Sequence, residues 1–304
     1  MGLDFKGRVA IVTGAGGGLG RQHALALAKR GAKVVVNDLG GARDGSGGSL
    51  SAAESVVAEI RAAGGEAIAN GASVTDFAAV QAMVQQAVDT WGRIDIVVNN
   101  AGILRDKTFA KMDLADFRLV LDVHLMGAVH CTKAAWPYFV EQKYGRVLMT
   151  TSSTGLYGNF GQSNYGAAKM ALVGLMQTLA LEGAKHNIHV NCLAPTAATR
   201  MTEDLMPAAV LAALKPEAVV PAMLVLVDES APTRTILCAG AGSVEASNIT
   251  LTQGVWVGLD EQAPERLAEQ LAAVKDGTGQ MVPESGSGQG GHEIARATAM
   301  LKHS

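Results

Sequence analysis

Short apolar runs alternate with longer segments of helical periodicity along this chain, and that alternation restricts the fold more than any other feature. Runs such as Val9–Thr13 lack the polar alternation of a half-exposed strand, which fits strands buried on both faces of a sheet. Helices of ten or more residues between such strands indicate parallel pairing. The sequence therefore predicts an α/β fold, a doubly wound parallel sheet of about seven strands with helices on both faces.

The expected elements follow from the period of the apolar residues. The strands are expected at residues 9–13, 33–38, 66–70, 94–99, 146–151, 188–193 and 235–239. The helices are expected at residues 19–30, 50–63, 77–91, 113–140, 164–185, 216–228 and 264–275.

A glycine-rich turn joins the first expected strand to the first expected helix. The dinucleotide-binding pattern G-x-G-x-x-G fails when it is counted from Gly14, because Leu19 occupies its last glycine position. The pattern that fits is G-x-x-x-G-x-G, formed by Gly14, Gly18 and Gly20, and these glycines together with Leu19 are expected to contact the nucleotide. Glycines let a phosphate approach the free backbone amides at a helix N-terminus. An ordinary glycine-rich turn is the alternative, but the strand–turn–helix context favours nucleotide binding.

Asp38 ends the second expected strand, about twenty residues beyond the glycine turn. A carboxylate at this place accepts hydrogen bonds from the adenosine ribose and repels a 2′-phosphate, so NAD is expected and NADP is the less favoured cofactor. Arg21 is expected on the outer or packed face of the helix. Arg43 could still reach the ribose from the glycine-rich loop 40–49, which keeps NADP open. A solvated strand-end carboxylate is the alternative reading of Asp38.

Two amides beside small residues close the fourth expected strand, in the run Asn99-Asn100-Ala101-Gly102. This crowded corner is expected to tie neighbouring strands together, with Asn100, Ala101 and Gly102 flanking a ligand. A plain asparagine-rich turn is the alternative.

Three further polar residues can meet at one place. Tyr165 and Lys169 stand four residues apart, on one face if the segment is helical, and Ser152 follows the expected strand 146–151. A nearby cation stabilises a phenolate and lowers the pKa of a tyrosine, and a serine hydroxyl can hydrogen-bond a substrate oxygen. Together they could move a proton to or from an alcohol or carbonyl. A half-buried tyrosine beside a solvated lysine is the alternative.

Composition argues against several other functions. The net charge of −3, without a basic run, lacks the electrostatic footprint of a nucleic-acid-binding protein. Cys131, Cys192 and Cys238 are far apart and show no metal-ligand spacing, so no metal site is expected and the thiols are expected to be reduced in a cytoplasmic protein. No signal-peptide region and no apolar run of membrane-spanning length is found, so no membrane partner is expected.

Taken together, these motifs resemble those of the short-chain dehydrogenase/reductase family, over roughly residues 5–245. The carrying residues are Thr13, Gly14, Gly18, Gly20, Asn99, Asn100, Ala101, Gly102, Ser152, Tyr165 and Lys169. The resemblance implies a Rossmann-type fold in which Tyr165 is the acid–base and Ser152 orients the substrate oxygen. It also implies that Lys169 lowers the pKa of Tyr165 and holds the nicotinamide ribose.

The chain departs from the family pattern at three places. His124 stands where the family usually has an asparagine as a fourth catalytic member. Its ring is expected either to serve a water-linked proton path near Lys169 or to be hydrogen-bonded within the helix bundle. Pro195 and Thr196 replace the usual Pro-Gly after the sixth strand, and Ser73 replaces the usual aspartate before Val74. The resemblance implies that these last four residues contact the cofactor.

Other segments resemble one branch of the family, the (3R)-hydroxyacyl-CoA dehydrogenase portions of peroxisomal multifunctional enzymes, also described as 17β-hydroxysteroid dehydrogenases. These segments are residues 36–41, 101–106, 143–146, 158–162 and 212–217. The resemblance implies an NAD-dependent oxidation of a (3R)-3-hydroxyacyl-CoA to the 3-oxo product. A steroid 17β-alcohol substrate and an NADPH-dependent 3-oxoacyl reductase are the alternatives among enzymes. A dinucleotide-sensing scaffold protein is the alternative outside them.

One domain is expected to dominate the chain. Residues 1–245 are expected to form the NAD-binding domain, with a substrate lid at about 197–230. Residues 246–304 are expected to be an extension packed on the same domain and partly flexible. Within it, apolar stretches around Gly254 suggest a pair of short strands, and the polar, glycine-rich residues 277–291 are typical of a linker or frayed segment.

The substrate and a second subunit are the expected partners. Met201, Leu205 and Met206 are expected at an apolar substrate entrance, beside Arg200, which is either a phosphate contact or a solvated charge. The helices expected at 113–140 and 164–185 are apolar on more than one face. Because the sheet covers only one side of each, a homodimer or homotetramer is expected.

Overall fold

The computed structural model describes residues 2–41, 44–198 and 213–302. Its centre is one eight-stranded sheet with the order β3-β2-β1-β4-β5-β6-β7-β8. Strands β1 to β7 pair in parallel, and β8 pairs antiparallel with β7. The strands are β1 Val9–Thr13, β2 Lys33–Asn37, β3 Glu66–Asn70, β4 Ile96–Asn99, β5 Gly145–Thr150, β6 Ile188–Thr196, β7 Ile236–Gly240 and β8 Ser243–Ser247. The predicted doubly wound sheet is confirmed, with one strand more than expected.

The additional strand β8 forms a hairpin with β7. The two connecting residues, Ala241 and Gly242, both have positive φ (50° and 84°), which matches the twist of a two-residue hairpin. Of the two short strands expected over residues 245–259, the first overlaps the end of β8. The second was wrong, because the described residues 255–259 form no strand, and Leu251 makes an isolated bridge to Met281.

Most helices lie where the apolar period predicted them, with small shifts at their ends. They are α1 Gly18–Lys29, α2 Ser51–Ala62, α3 Phe77–Trp91, α4 Leu114–Leu121, α5 Gly127–Gln142, α6 Ser153–Tyr157, α7 Ser163–Gly183 and α8 Val220–Val227. The short helix α6 was not expected. The helix expected over 216–228 begins as a 3-10 turn at Pro216–Val219.

The single helix expected over 113–140 is interrupted. Between α4 and α5, the residues Asp122–Met126 form a π-helical turn, which is wider than an α-helical turn. This turn carries His124, whose side chain is buried. Pro137 lies inside α5 without ending the helix.

Helices cover both faces of the sheet, as predicted. Alternate residues of β1 point to opposite faces, so Ala10 and Val12 belong to one apolar cluster and Val9 and Ile11 to the other. Helices α1, α2 and α8 complete the first cluster, and α3, α5 and α7 complete the second. The core therefore lies in two layers, one on each side of the sheet.

The strand order places a crevice at the ends of β1 and β4. Strand β1 lies between β2 and β4, so the winding of the chain reverses at this point. In open α/β sheets, ligands bind outside the carboxyl ends of the strands at such a reversal. The glycine turn follows β1 and Asn100 follows β4, so the fold brings these two sequence motifs to one edge.

The chain divides into two compact units, Met1–Ser247 and Asn248–Ser304. The second unit contains α9 Ala263–Glu269, α10 Leu271–Val274 and α11 Gly286–Leu301. The helix expected over 264–275 is thus split at Gln270. The expected frayed segment 277–291 was wrong over its second half, because α11 begins at Gly286. That the extension packs on the main domain stays a prediction.

The expected substrate lid is described only in part. Arg200, Met201, Leu205 and Met206 lie outside the described residues, and so does Arg43 of the glycine-rich loop. Among the helices of the described ranges, none combines the length and the apolar character needed to cross a bilayer.

Candidate active site

A cavity of about 380 Å³ opens at the carboxyl ends of β1, β2 and β4, a volume typical of small-molecule and cofactor sites. The predicted residues that line it are Gly14, Gly18, Leu19, Gly20, Asp38, Ser73, Val74, Asn100, Ala101 and Gly102. Leu119 from α4 and Val123 from the π turn also line it and were missed. Their spacing of four residues on one helix face was the available signal.

The glycine turn is held closely against the segment that follows β4. The Thr13 hydroxyl accepts hydrogen bonds from the backbone amides of Asn100 and Ala101, both at 3.0 Å. The Asn100 side-chain amide donates to the carbonyls of Thr13 and Gly14, at 2.9 and 3.2 Å. A Cβ on Gly14, which has a φ of +62°, would lie 2.9 Å from Ala101 Cα. Only glycine therefore allows this approach.

The start of α1 is suited to a phosphate group. The helix begins at Gly18, and its first backbone amides have no partner within the helix. The helix dipole adds positive potential at this end. A Cβ on Gly20 would lie 2.2 Å from the Gly14 carbonyl oxygen, so this position also requires glycine. The residues present therefore fit the diphosphate of a dinucleotide.

Asp38 connects the glycine turn to the loop after β2. Its two carboxylate oxygens accept hydrogen bonds from the backbone amides of Gly16 and Gly40, at 2.7 and 2.6 Å. The carboxylate also lines the cavity, where it brings negative charge. Arg21 points away from this site and pairs with Glu59 at 2.6 Å, which agrees with its expected outer position.

Ser73 and Val74, which follow β3, also line the cavity. The Ser73 hydroxyl lies 2.8 Å from the Thr75 hydroxyl, and the Val74 carbonyl accepts a hydrogen bond from His130 Nδ1 at 2.8 Å. Serine therefore brings no charge to the turn where the family usually has aspartate.

The strand β5 and the helix α7 bring the three predicted catalytic residues together. Ser152 follows β5 and caps α6, and its hydroxyl accepts a hydrogen bond from the Thr154 amide at 3.1 Å. Tyr165 lies in the first turns of α7, and Lys169 follows one turn later. Burial raises the pKa of the Tyr165 phenol, and the neighbouring Ser152 hydroxyl acts in the opposite direction.

Lys169 is buried, and its ammonium donates to the Thr150 carbonyl at 2.5 Å. The nitrogen lies 5.4 Å from the centroid of the Tyr165 ring. Burial lowers the pKa of Lys169 to about 7. The ammonium is thus directed at the end of β5. That Lys169 lowers the pKa of Tyr165 stays a prediction.

His124 is held against the segment that follows Gly102. Its Nε2 lies 2.8 Å from the Ile103 carbonyl oxygen and 3.1 Å from the Ile103 amide. The ring also fills the space above Gly102, because a Cβ there would lie 2.2 Å from His124 Cε1. Burial and the charge of Lys169 hold the pKa of this imidazole well below its ordinary value.

A second, very small cavity has a volume of about 10 Å³. Both cavities are lined by Val74, Ala101 and Val123, so they are adjacent. His124 and Lys169 line the smaller one. His124 Nδ1 is buried without a protein partner.

Pro195 and Thr196 are the last residues of β6, where they pair with Ala239 and Gly240 of β7. They lie at the carboxyl edge of the sheet but outside the described residues that line the cavity. Their expected contact with a cofactor stays a prediction.

Residues 8–209 of this chain match a family model whose description is short chain dehydrogenase. The protein therefore belongs to the short-chain dehydrogenase/reductase family, a family of NAD(P)-dependent oxidoreductases.

Curated relatives agree with this assignment. A short-chain type dehydrogenase/reductase of Mycobacterium tuberculosis is 56% identical over 239 residues, which cover 78% of this chain and 84% of the relative. The peroxisomal multifunctional enzyme A of Dictyostelium discoideum is 49% identical, over 94% of this chain and 64% of its own length. A 3-oxoacyl-[acyl-carrier-protein] reductase of Synechocystis is 46% identical, over 65% of this chain and 77% of the relative. The chain thus spans less than two thirds of the multifunctional relative.

Solved structures give the same result. The full-length peroxisomal multifunctional enzyme type 2 of Drosophila melanogaster has a TM-score of 0.77 and 37% identity, over 99% of this chain and 50% of that chain. A 7α-hydroxysteroid dehydrogenase in complex with NADH and 7-oxo glycochenodeoxycholic acid has a TM-score of 0.71 and 29% identity, over 79% of this chain and 95% of that chain.

Proposed function

We propose that this protein oxidises a secondary alcohol to a ketone with NAD, and that its substrate is a (3R)-3-hydroxyacyl-CoA. The observation that carries the proposal is the meeting of Ser152, Tyr165 and Lys169. These three are not among the described residues that line the larger cavity, but His124 connects Tyr165 to Gly102 in the wall of that cavity, which fits a dinucleotide. The similarity to peroxisomal multifunctional enzymes supports the substrate class.

Each of the three side chains has a separate role in the proposed reaction. The Ser152 hydroxyl hydrogen-bonds the substrate oxygen and orients it. The Tyr165 phenolate takes the proton of the substrate hydroxyl. The Lys169 ammonium stabilises that phenolate, because a positive charge nearby favours the ionised form. Bound NAD supplies the acceptor for the hydride that leaves the substrate carbon.

The preference for NAD rests on Asp38. Its carboxylate lines the cavity, and both of its oxygens are fixed by backbone amides of the two neighbouring turns. A 2′-phosphate beside this fixed negative charge would be repelled, whereas ribose hydroxyls can donate to it. The complex of a related steroid dehydrogenase with NADH is consistent with this choice.

Steady-state rates with NAD and NADP would test the proposal, on a panel of (3R)-3-hydroxyacyl-CoA thioesters and steroid alcohols. We expect a medium- or long-chain thioester with NAD to have the highest kcat/KM. A steroid rate that exceeds every thioester would overturn the substrate class, and a preference for NADP would overturn the cofactor.

A 3-oxoacyl reductase is the second candidate, because the Synechocystis relative with that name is 46% identical to this chain. The two functions differ in cofactor, since a reductase is expected to use NADPH. Binding of NADH against NADPH, measured by nucleotide fluorescence on the same preparation, separates them. Binding of either nucleotide without turnover of any alcohol or ketone would favour a dinucleotide-sensing scaffold instead.

We further propose that the protein is a homodimer or homotetramer in the cytoplasm. The apolar outer surface of α7 supports the assembly, since Met170 and Leu181 are 40% and 50% exposed. Fluorescence microscopy of the tagged protein would test the compartment, and peroxisomal localisation would contradict it.

A further inference from the structure

Gln162 occupies a junction between the segments that carry Ser152 and Tyr165. It immediately precedes α7, three residues before Tyr165. Its side-chain oxygen accepts hydrogen bonds from the Thr154 hydroxyl and from Asn159 Nδ2, both at 3.0 Å. Its side-chain nitrogen donates to an Asp106 carboxylate oxygen at 2.7 Å.

The hydrogen-bond partners of Gln162 allow only one orientation of its side-chain amide. Asn159 Nδ2 can only donate and the Asp106 carboxylate only accepts, so the oxygen must face Asn159 and the nitrogen must face Asp106. Because Thr154 stands two residues after Ser152, one side chain links the start of α6, the turn before α7 and the segment around Asp106.

Two further hydrogen bonds join the segments before α7 and around Asp106, one on either side of this amide. The Lys107 amide donates to the Gly161 carbonyl at 3.0 Å, and Asn164 Nδ2 donates to the Arg105 carbonyl at 3.0 Å. The contact between Gln162 and Asp106 is therefore part of a continuous row of hydrogen bonds between residues 105–107 and 161–164. This row, called the seam below, lies beside Tyr165.

The charges around Tyr165 make this seam relevant to its chemistry. The Lys169 ammonium lies 5.4 Å from the ring centroid, and the neutral His124 ring lies 5.2 Å from it. The carboxylate of Asp106 raises the pKa of the phenol. The cations next to Asp106 in sequence are directed elsewhere, since Arg105 pairs with Asp116 and Lys107 with Asp113 and Asp116.

We propose that Gln162 is a positioning residue for the reaction, which fixes the separation of Ser152 and Tyr165 and holds the Asp106 carboxylate near the phenol. The inference rests on the proposed function, in which Tyr165 is the acid–base. A shift of a reacting group by about 1 Å can cost roughly a hundredfold in rate, so a partial loosening of this seam is expected to lower kcat more than it raises KM.

The experiment exchanges donor and acceptor across the hydrogen bond. Gln162→Glu keeps an oxygen for Thr154 and Asn159 but places a carboxylate against Asp106. Asp106→Asn removes the charge while its new amide can still present an oxygen to Gln162. The double variant Gln162→Glu/Asp106→Asn restores the hydrogen bond with the donor on the opposite side and restores the charge of the parent.

We expect Gln162→Glu to lower kcat roughly tenfold and the double variant to recover most of that loss. The alkaline-rising limb of the oxidation profile should move to higher pH in Gln162→Glu, because the added negative charge raises the pKa of Tyr165. It should move to lower pH in Asp106→Asn and return in the double variant. A general loss of structure would not give opposite shifts.

Gln85→Glu is the matched control, because Gln85 also donates to an aspartate, Asp89, at 2.7 Å, but lies on α3 away from the cavity. A double variant as slow as Gln162→Glu, or a Gln162→Glu rate equal to that of the control, would overturn the proposal. Tyr165→Phe is measured alongside. If that variant stays active, the proposed function fails, whereas the recovery of kcat in the double variant still tests the hydrogen bond.

Discussion

The imidazole of His124 lies edge-on to the phenol of Tyr165, with 5.2 Å between the ring centroids and 87° between the ring planes. This contact joins the π turn before α5 to the helix α7. Because Nε2 of the same imidazole contacts Ile103, His124 connects three segments around the candidate acid–base. The contact adds His124 to the side chains around Tyr165, beside Ser152 and Lys169 of the catalytic motif.

The first prediction concerns Tyr165. Tyr165→Phe should reduce turnover by a factor on the order of 10² or more while cofactor binding is largely kept, because the acid–base is removed and the ring is retained. In the parent enzyme, burial raises the pKa of this phenol, so the phenolate forms only as the pH rises. Oxidation should therefore accelerate from neutral to alkaline pH, and reduction should slow. Near-parental turnover of the variant would refute the assignment.

The second prediction concerns the tautomer of His124. The shorter contact of Nε2 is with the Ile103 carbonyl, which can only accept, so we expect the proton on Nε2 and none on Nδ1. His130 and His189 give an internal control, because their Nδ1 atoms face carbonyls and must carry the proton. Nitrogen-15 NMR of histidine-labelled protein distinguishes the two patterns in one spectrum.

The role of His124 in proton transfer is tested separately. If the ring serves a proton path near Lys169, His124→Asn should change the pH–rate profile, because the amide does not titrate. An unchanged rate and profile would leave His124 as a hydrogen-bonding residue of the helix layer.

The third prediction concerns the stability cost of Lys169. Burial lowers the pKa of Lys169 from 10.5 to about 7 in the folded chain. Between these two pH values the unfolded chain binds a proton that the native chain does not, and this difference lowers the free energy of unfolding. Lys169→Met should abolish activity yet raise the free energy of unfolding by about 1–2 kcal/mol at neutral pH.

The sign of this effect follows from the lowered pKa. The stability of the parent falls as the pH decreases from 10.5 to about 7 and then levels off, so the advantage of Lys169→Met should shrink towards alkaline pH. Urea denaturation at both ends of this range measures it. Lys33→Met is the control, because Lys33 lies at the surface and pairs with Glu66. A Lys169→Met protein that is less stable than the parent at neutral pH would contradict the prediction.

The fourth prediction concerns cofactor choice. Asp38→Ala should weaken NAD binding and relax discrimination against NADP, because an acceptor and a repulsive charge both disappear. Arg21→Gln is the control, since Arg21 pairs with Glu59 outside the cavity and should not alter the NAD to NADP ratio. Titration calorimetry with both nucleotides gives the affinities. An unchanged ratio of NAD to NADP affinity in Asp38→Ala would show that this carboxylate does not determine the cofactor preference.

The fifth prediction concerns assembly. Multi-angle light scattering should show a dimer or tetramer at micromolar concentration, because α7 is buried on its sheet side and still exposes Met170 and Leu181. Leu181→Glu should weaken that assembly, as a charge at an apolar interface loses its hydration. A monomeric parent protein would contradict the prediction.

The sequence alone determined the type and order of most elements. Repeating apolar positions report a local backbone period, so β1 and α3 were predicted at their observed bounds. Gly14 and Gly20 were identified from their spacing in the turn between a strand and a helix, whereas the close contacts that exclude any other side chain there appear only in the structure. Ser152, Tyr165 and Lys169 were found through spacing and family resemblance, which depend only on residue identity.

Tertiary structure decided what depends on contacts between distant residues. The hairpin of β8 and the split at Gln270 escaped prediction, because short exposed elements carry little apolar periodicity. The low pKa of Lys169 arises from the layers that bury it, and the network of Gln162 arises from three segments that the fold brings together. A pattern along the chain reflects the local backbone period, whereas burial and long-range pairing exist only once the helices have packed on both faces of the sheet.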